Sequence, residues 1–347
     1  MNIQPLFVPA LLLSCLLLQT ACQQTEKAKT PAAPATYPST GRVERLDPAL
    51  DALIAPDARI EILADSFKWS EGPVWAKALD ALLFTDVPAN TVYKWREKEG
   101  KSVYLQPSGY TGTGTYSREP GANGLTIDAA GKLVLCQHGD RRVARMDAIL
   151  ERPASNFVSV AESHNGKRFN SPNDLVYDRA GRLYFTDPPY GLPQQENDPS
   201  REIPIQGVYR RDTDGSVTLL TELTRPNGIA FSPDQQKLYV ANSDPAKAIW
   251  MVYDVKPDGS LANGKVFYDA TPMVKDNPGL PDGLKVDAKG NLFATGPGGV
   301  LVFDPTGKLL GIIRTGQPTA NCAFDGDGST LFMTANMFLM RIKLARK

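Results

Sequence analysis

From about residue 70 onwards, apolar and polar residues alternate in short runs, separated by clusters of Asp, Asn, Gly and Pro. That pattern predicts narrow strands with one face in a core. Helices would instead place apolar residues every three or four positions. Six stretches repeat one plan: EGPVWAKALDALLFTD from Glu71, NGLTIDAAGKLVLCQHG from Asn123, NDLVYDRAGRLYFTDPP from Asn173, NGIAFSPDQQKLYVANS from Asn227, DGLKVDAKGNLFATGPG from Asp282 and NCAFDGDGSTLFMTAN from Asn321. Each begins with an acidic or amide residue, usually followed by Gly. A short alternating strand comes next, then an Asp/Gly turn such as DAAG, DRAG or DAKG that closes a hairpin, then a second apolar strand. Further strand-like pieces, GVYRRD, IWMVYDV and GVLVFDP, fall between the units.

Units of roughly 40–55 residues suit one four-stranded sheet each, so six of them predict an all-β, six-bladed β-propeller over residues 43–347. A pair of β-sandwiches does not require one polar residue at the same point of every unit, and a solenoid has tighter periods. The segment from Ile60 to Phe67 is placed to lend a strand to the last blade and close the ring.

The first 22 residues read as an address. Pro9 to Leu18, PALLLSCLLL, is apolar but too short to span a bilayer, and Gln-Thr-Ala-Cys ends at Cys22. Ala21 before Cys22 resembles the lipobox of bacterial lipoproteins, which predicts an exported, periplasmic protein held to the membrane by a lipid on Cys22. Residues 23–42 are rich in Pro, Ala and Thr and read as a tether.

Composition narrows the partners. With 38 basic and 38 acidic residues the chain lacks the basic excess that phosphate binding needs, which argues against nucleic acid. Only Cys136 and Cys322 lie in the body of the chain, both in apolar runs, and read as buried thiols.

In a propeller the first strand of every blade borders the central channel, so Glu71, Asn123, Asn173, Asn227, Asp282 and Asn321 converge on the axis. Six oxygen-bearing side chains around one mouth suit a hard divalent cation. Ca²⁺ is favoured, and Mg²⁺, Mn²⁺ or Zn²⁺ also fit. Glu71 and Asp282 would balance its charge. Asn-Gly and Asp-Gly are also common turn dipeptides, but Glu71 serves a turn poorly and a metal well.

SEGPVW, GANGLTID, SPNDLVYD, RPNGIAFSPD and PDGLKVD together resemble the senescence marker protein (regucalcin) and gluconolactonase family over roughly residues 60–345. REPGANGL, the HGDRR run and FTDPPYG resemble its bacterial gluconolactonase branch. The resemblance implies a metal-dependent lactonase. Its metal ligands fall on Glu71, Asn227 and Asp282, with Asn173 binding metal or substrate, and Asp282 doubles as the base that activates water. Asn123, Asn173 and Asn321 are then candidate substrate contacts on the same ring, and the partner is a small-molecule lactone.

Outside the ring, His138 in CQHGDRR is either a capped strand end or a contact to substrate hydroxyls. Arg141 and Arg142 orient substrate or serve as surface charge, and His164 reads as solvated. The long loops 111–121 and 187–207 read as a lid. GTGTY is not a phosphate loop, because it lacks a Lys-Ser/Thr ending and a following helix. Two rival functions stand beside the lactonase: a paraoxonase-like esterase or phosphotriesterase using the same metal, and a non-catalytic propeller that binds a sugar or a partner protein.

Overall fold

The computed structural model describes residues 1, 2, 4 and 36–345. Cys22, the lipobox and nearly all of the expected leader and tether lie outside the described residues. Among the described residues no helix is long and apolar enough to cross a membrane.

Six antiparallel sheets form a six-bladed β-propeller, as the repeat predicts. Blade one runs Ser70–Ala76, Ala81–Asp86, Thr91–Arg96 and Gly100–Leu105, and blade two Ala122–Ile127, Leu133–Gln137, Arg142–Met146 and Phe157–Ala161. Blade three runs Leu175–Tyr177, Leu183–Asp187, Gly207–Arg211 and Val217–Glu222, and blade four Pro226–Phe231, Lys237–Asp244, Lys247–Val255 and Leu261–Asp269. Blade five begins Leu284–Val286, Leu292–Gly296, Gly299–Phe303 and Leu309–Arg314, and blade six Asn321–Phe324, Thr330–Ala335 and Phe338–Lys343.

The chain's early strands complete the last two blades. Ile60–Ala64 pairs with Phe338–Lys343, with Ile60 opposite Ile342, so the predicted closure is present. The fold also reaches further back than residue 43. Ser39–Thr40 pairs with Ile60 and Glu61, and Arg42–Arg45 edges blade five beside Gly311–Arg314. Their composition hides them because an edge strand needs only backbone bonds on one side.

The hairpin turns repeat their chemistry. Asp128 Oδ1 accepts the N–H groups of Ala130 and Lys132 at 2.9 Å each, and Asp178 Oδ1 does the same for Ala180 and Arg182 at 2.9 Å. These are Asx turns, which is why D-x-x-G recurs.

The buried apolar residues fall into clusters at the seams between neighbouring blades. Leu83, Val92, Leu125 and Leu135 join blades one and two, and Trp250, Ala241, Leu301 and Phe303 join blades four and five. The closing strand contributes Ile60 to the seam of blades five and six, where Leu50 and Ile54 also plug in. Fully burying one such side chain contributes about 1.5–3 kcal/mol, so each seam stabilises the ring by many small terms. Cys136 and Cys322 are buried free thiols within two of these clusters, as expected.

Candidate active site

The innermost strands share a local distortion that aims their first polar residue. Pairing slips between Glu71 and Val74, between Ala122 and Leu125, and between Pro226 and Ile229, a bulge at the same point of blades one, two and four. Bulges redirect side chains, here towards the axis. In blades three and five the ring residue sits just before the strand, held by Asn173 N–H to Thr186 O at 2.8 Å and Asp282 N–H to Thr295 O at 3.0 Å.

The Gly that follows most ring residues answers to crowding around the axis. A Cβ on Gly228 would lie 2.2 Å from the Asp282 carbonyl oxygen, and one on Gly72 1.9 Å from that of Asn123. Of these two, only Gly72 has positive φ, at 46°. Close approach of the next blade, more than turn geometry, demands the missing side chain.

The second strand of a blade then locks the segment ahead of the ring residue. Asp86 accepts the N–H groups of Lys68 at 2.9 Å and Trp69 at 3.2 Å, just before Glu71. Asp187 accepts those of Asn170 and Ser171 at 2.8 Å each, before Asn173, and Asn242 Oδ1 accepts that of Arg225 at 2.7 Å, before Asn227. A threonine belt adds inter-blade bonds: Thr85 to Asn123 O at 3.1 Å and Thr186 to Asn227 O at 2.7 Å. None of these supports was recognised in the sequence, although FTDVP and FTDPP carry four of the five.

The result is a cavity of about 490 Å³ lined by Glu71, Asn123, Asn173, Asn227 and Asp282 together. Five of the six predicted ring residues therefore meet, from five different blades. Asn321 does not line it. That side chain packs under Gly283, and its Oδ1 accepts the Cys322 N–H at 2.9 Å, so the expected substrate contact is corrected to a support below the mouth. His138 is likewise corrected: it is fully buried behind the cavity wall, because Gly191 of the 187–207 loop packs against it.

Arg141 and Arg142 do not line this cavity either. Arg141 is buried and donates to Phe169 O at 2.8 Å and Ser200 O at 3.0 Å, while Arg142 binds Gln137 and Asp140. His164 is half-buried beside Tyr209, with its Nδ1 3.2 Å from Val217 O, so it is only partly solvated.

Sequence reasoning missed Glu119, Tyr190, Trp69, Arg225 and Ser243, which line the same cavity. Glu119 and Tyr190 come from the two long loops, which do supply part of the wall. Val274, Pro278 and Leu280 make another side apolar.

The electrostatics are those of an anionic pocket. Burial holds the Glu71 carboxyl up at about 8, with Asp174 and Glu119 adding repulsion. Enclosure, then Glu71 and Asp174, push Asp282 well above the usual carboxylate range. Two carboxyls here cannot comfortably ionise together.

Two oxygens in this ring, Asp282 Oδ1 and Asn123 Oδ1, are buried without any hydrogen-bond partner. Asn227 Nδ2 donates to Ser243 Oγ at 2.9 Å, which leaves its amide oxygen as the atom to offer. Orphaned acceptors, crowded carboxyls and amide oxygens are a donor set that a hard cation satisfies. Among the described residues no three His, Cys, Asp or Glu side chains cluster as metal ligands, so the amides have to share the task.

A profile of the SMP-30/Gluconolactonase/LRE-like region matches residues 69–337. The gluconolactonase of Zymomonas mobilis subsp. mobilis is 40% identical over 311 residues, 87% of this chain and 86% of that protein. A gluconolactonase from Xanthomonas campestris superposes with a TM-score of 0.77 at 34% identity, covering 91% of this chain and 99% of that one. Human regucalcin is 26% identical over 283 residues, 79% of this chain and 85% of that protein. The matched span takes in every ring residue from Glu71 to Asn321, and the chain belongs to the SMP-30/gluconolactonase/LRE-like family.

Proposed function

We propose that this protein is a divalent-cation-dependent lactonase that opens a sugar lactone. The observation that carries the reading is the meeting of Glu71, Asn173, Asn227 and Asp282 in one cavity, with Asp282 Oδ1 left without a partner. Kinship with gluconolactonases supports the substrate class.

Glu71, Asn173, Asn227 and Asp282 would hold the cation, with Ca²⁺ favoured by an all-oxygen set. When bound, it supplies Lewis-acid stabilisation of negative charge developing on the lactone carbonyl oxygen. Asp282 takes the proton from the attacking water, a role open to a carboxylate whose second oxygen is unengaged. Tyr190 stays a hydroxyl donor, because burial and the neighbouring Asp282 raise it above the usual phenol range. Arg225 and Asn123 offer polar contacts to ring hydroxyls, while Val274, Pro278 and Leu280 keep bulk water off one side.

That apolar side also favours a second reading, an aryl esterase activity at the same site. A non-catalytic binder has no evident use for an unpartnered carboxylate oxygen beside the ring. We further propose that the chain is exported as a periplasmic lipoprotein through Cys22, which radiolabelled lipid incorporation into wild type and Cys22→Ala would test.

The deciding assay is pH-stat hydrolysis of δ-gluconolactone and of an aryl ester, with and without chelator. Lactone opening that chelator stops and Ca²⁺ restores supports the reading. Binding of sugar lactone without turnover supports the binder instead.

A further inference from the structure

Glu119 lies outside the repeat that explains the ring. It arrives on the long connection between blades one and two, yet lines the cavity with Asp282, which blade five supplies from the other side of a six-blade ring. Behind it sits His138, fully buried, with neither ring nitrogen in a hydrogen bond of good geometry and the Glu119 segment as its nearest polar neighbour. Such a residue calls for an explanation. Its Nδ1 stands 3.7 Å from Glu119 Oε2, just beyond hydrogen-bond reach.

The imidazole is the fixed member of this pair. Its backbone N–H donates to Gly121 O at 3.2 Å and its carbonyl accepts the Arg141 N–H at 3.2 Å. A Cβ on Gly191 would sit only 2.6 Å from His138 Cβ, so the loop packs directly on it. Glu119, with a side chain 33% exposed, is the member able to turn.

Resting on the lactonase reading above, we propose that Glu119 is the acid that protonates the departing ring oxygen, and that His138 is the positioning residue that receives it. Opening a lactone breaks the bond between acyl carbon and ring oxygen, and that oxygen leaves with the electron pair. An alkoxide is a poor leaving group unless a proton meets it. Water forms the new carbon–oxygen bond and gives one proton to Asp282. The ring oxygen takes one from Glu119, and the sum is lactone plus water to hydroxy acid. Glu119, now a carboxylate, accepts the single N–H of a neutral His138. Transfer of the Asp282 proton through solvent restores both groups.

The local chemistry agrees with these roles. Burial holds the Glu119 carboxyl up at about 7, so it carries a proton for a useful fraction of time near neutrality. Burial pushes His138 down to about 3, so the imidazole is neutral and donates without competing for the proton.

Leaving-group dependence tests the assignment. With δ-gluconolactone, whose ring oxygen leaves as an alkoxide, Glu119→Gln should lower kcat/KM by about 100-fold or more. With dihydrocoumarin, whose oxygen leaves as a phenolate and needs no proton, the loss should stay within about threefold. His138→Gln should lower kcat on gluconolactone about tenfold with KM unchanged and dihydrocoumarin nearly unaffected, a split that general loss of folding does not produce. Unchanged Ca²⁺ affinity in Glu119→Gln, measured by calorimetry, confirms an intact ring. Equal losses on both lactones, or none on either, would overturn the acid role while leaving the lactonase standing. A wild type that opens neither lactone removes the lactonase reading and this one with it.

Discussion

Ser243 joins Asn227 to the segment that carries Asp282. Its hydroxyl accepts from Asn227 Nδ2 at 2.9 Å and donates to the Pro281 carbonyl, so one oxygen fixes the amide of blade four against blade five. With its nitrogen occupied, the Asn227 amide presents oxygen to the cavity. Ser243→Ala should therefore weaken divalent-cation affinity by about 10–100-fold, the usual effect of removing a partner that orients a ligand. Calorimetric titration with Ca²⁺ checks this, and an unchanged affinity would mean that Asn227 needs no such lock.

The anionic pocket predicts a linkage between pH and the cation. Without one, Glu71 holds its proton up to about 8, whereas an unfolded glutamate loses it near 4.3. The folded state then binds protons more tightly, so cation-free stability falls as pH rises from about 4 to about 8 and levels off above that. A bound cation favours the ionised carboxyls and reverses the trend. The gain in melting temperature on adding Ca²⁺ should widen from pH 5 to pH 8 in calorimetric scans, and a constant gain would contradict the assignment of Glu71.

The two carboxylates should separate in kinetics. Asp282→Ala removes a proposed base and a ligand, and lactone turnover should vanish even at saturating cation. Glu71→Gln keeps the shape and loses one charge, so cation affinity should drop while turnover recovers at high Ca²⁺. Steady-state rates against cation concentration distinguish the two patterns.

Crowding at the axis makes Gly228 intolerant of a side chain. Gly228→Ala places a Cβ 2.2 Å from the Asp282 carbonyl oxygen, and overpacking of this kind costs about 1–3 kcal/mol. Urea denaturation should show the loss, and Ca²⁺ affinity should fall with it, because the strain falls on the Asp282 backbone.

Much of this was legible in the chain. The D-x-x-G turns and alternating strands marked the blades, and Ile60–Phe67, just ahead of the first repeat, was recognisable as the closing segment. The ring residues were legible through registration: a Glu at the place where other units carry Asn points to a shared task at the axis. His138 was not, since its burial depends on Gly191 folding back from a distant loop. Asn321 matched the register, but its oxygen turns to its own strand. Glu119 and Tyr190 sit on irregular connections, where no period assigns a side chain to the cavity.

All of the proposed chemistry rests on side chains from separate blades holding one axial cation for lactone opening. Anomalous diffraction from crystals soaked in Mn²⁺ tests it most directly. A single strong peak is expected, bounded by the carboxylates of Glu71 and Asp282 and the amide oxygens of Asn173 and Asn227. A peak elsewhere, or none in a protein that still opens lactones in excess chelator, would contradict it.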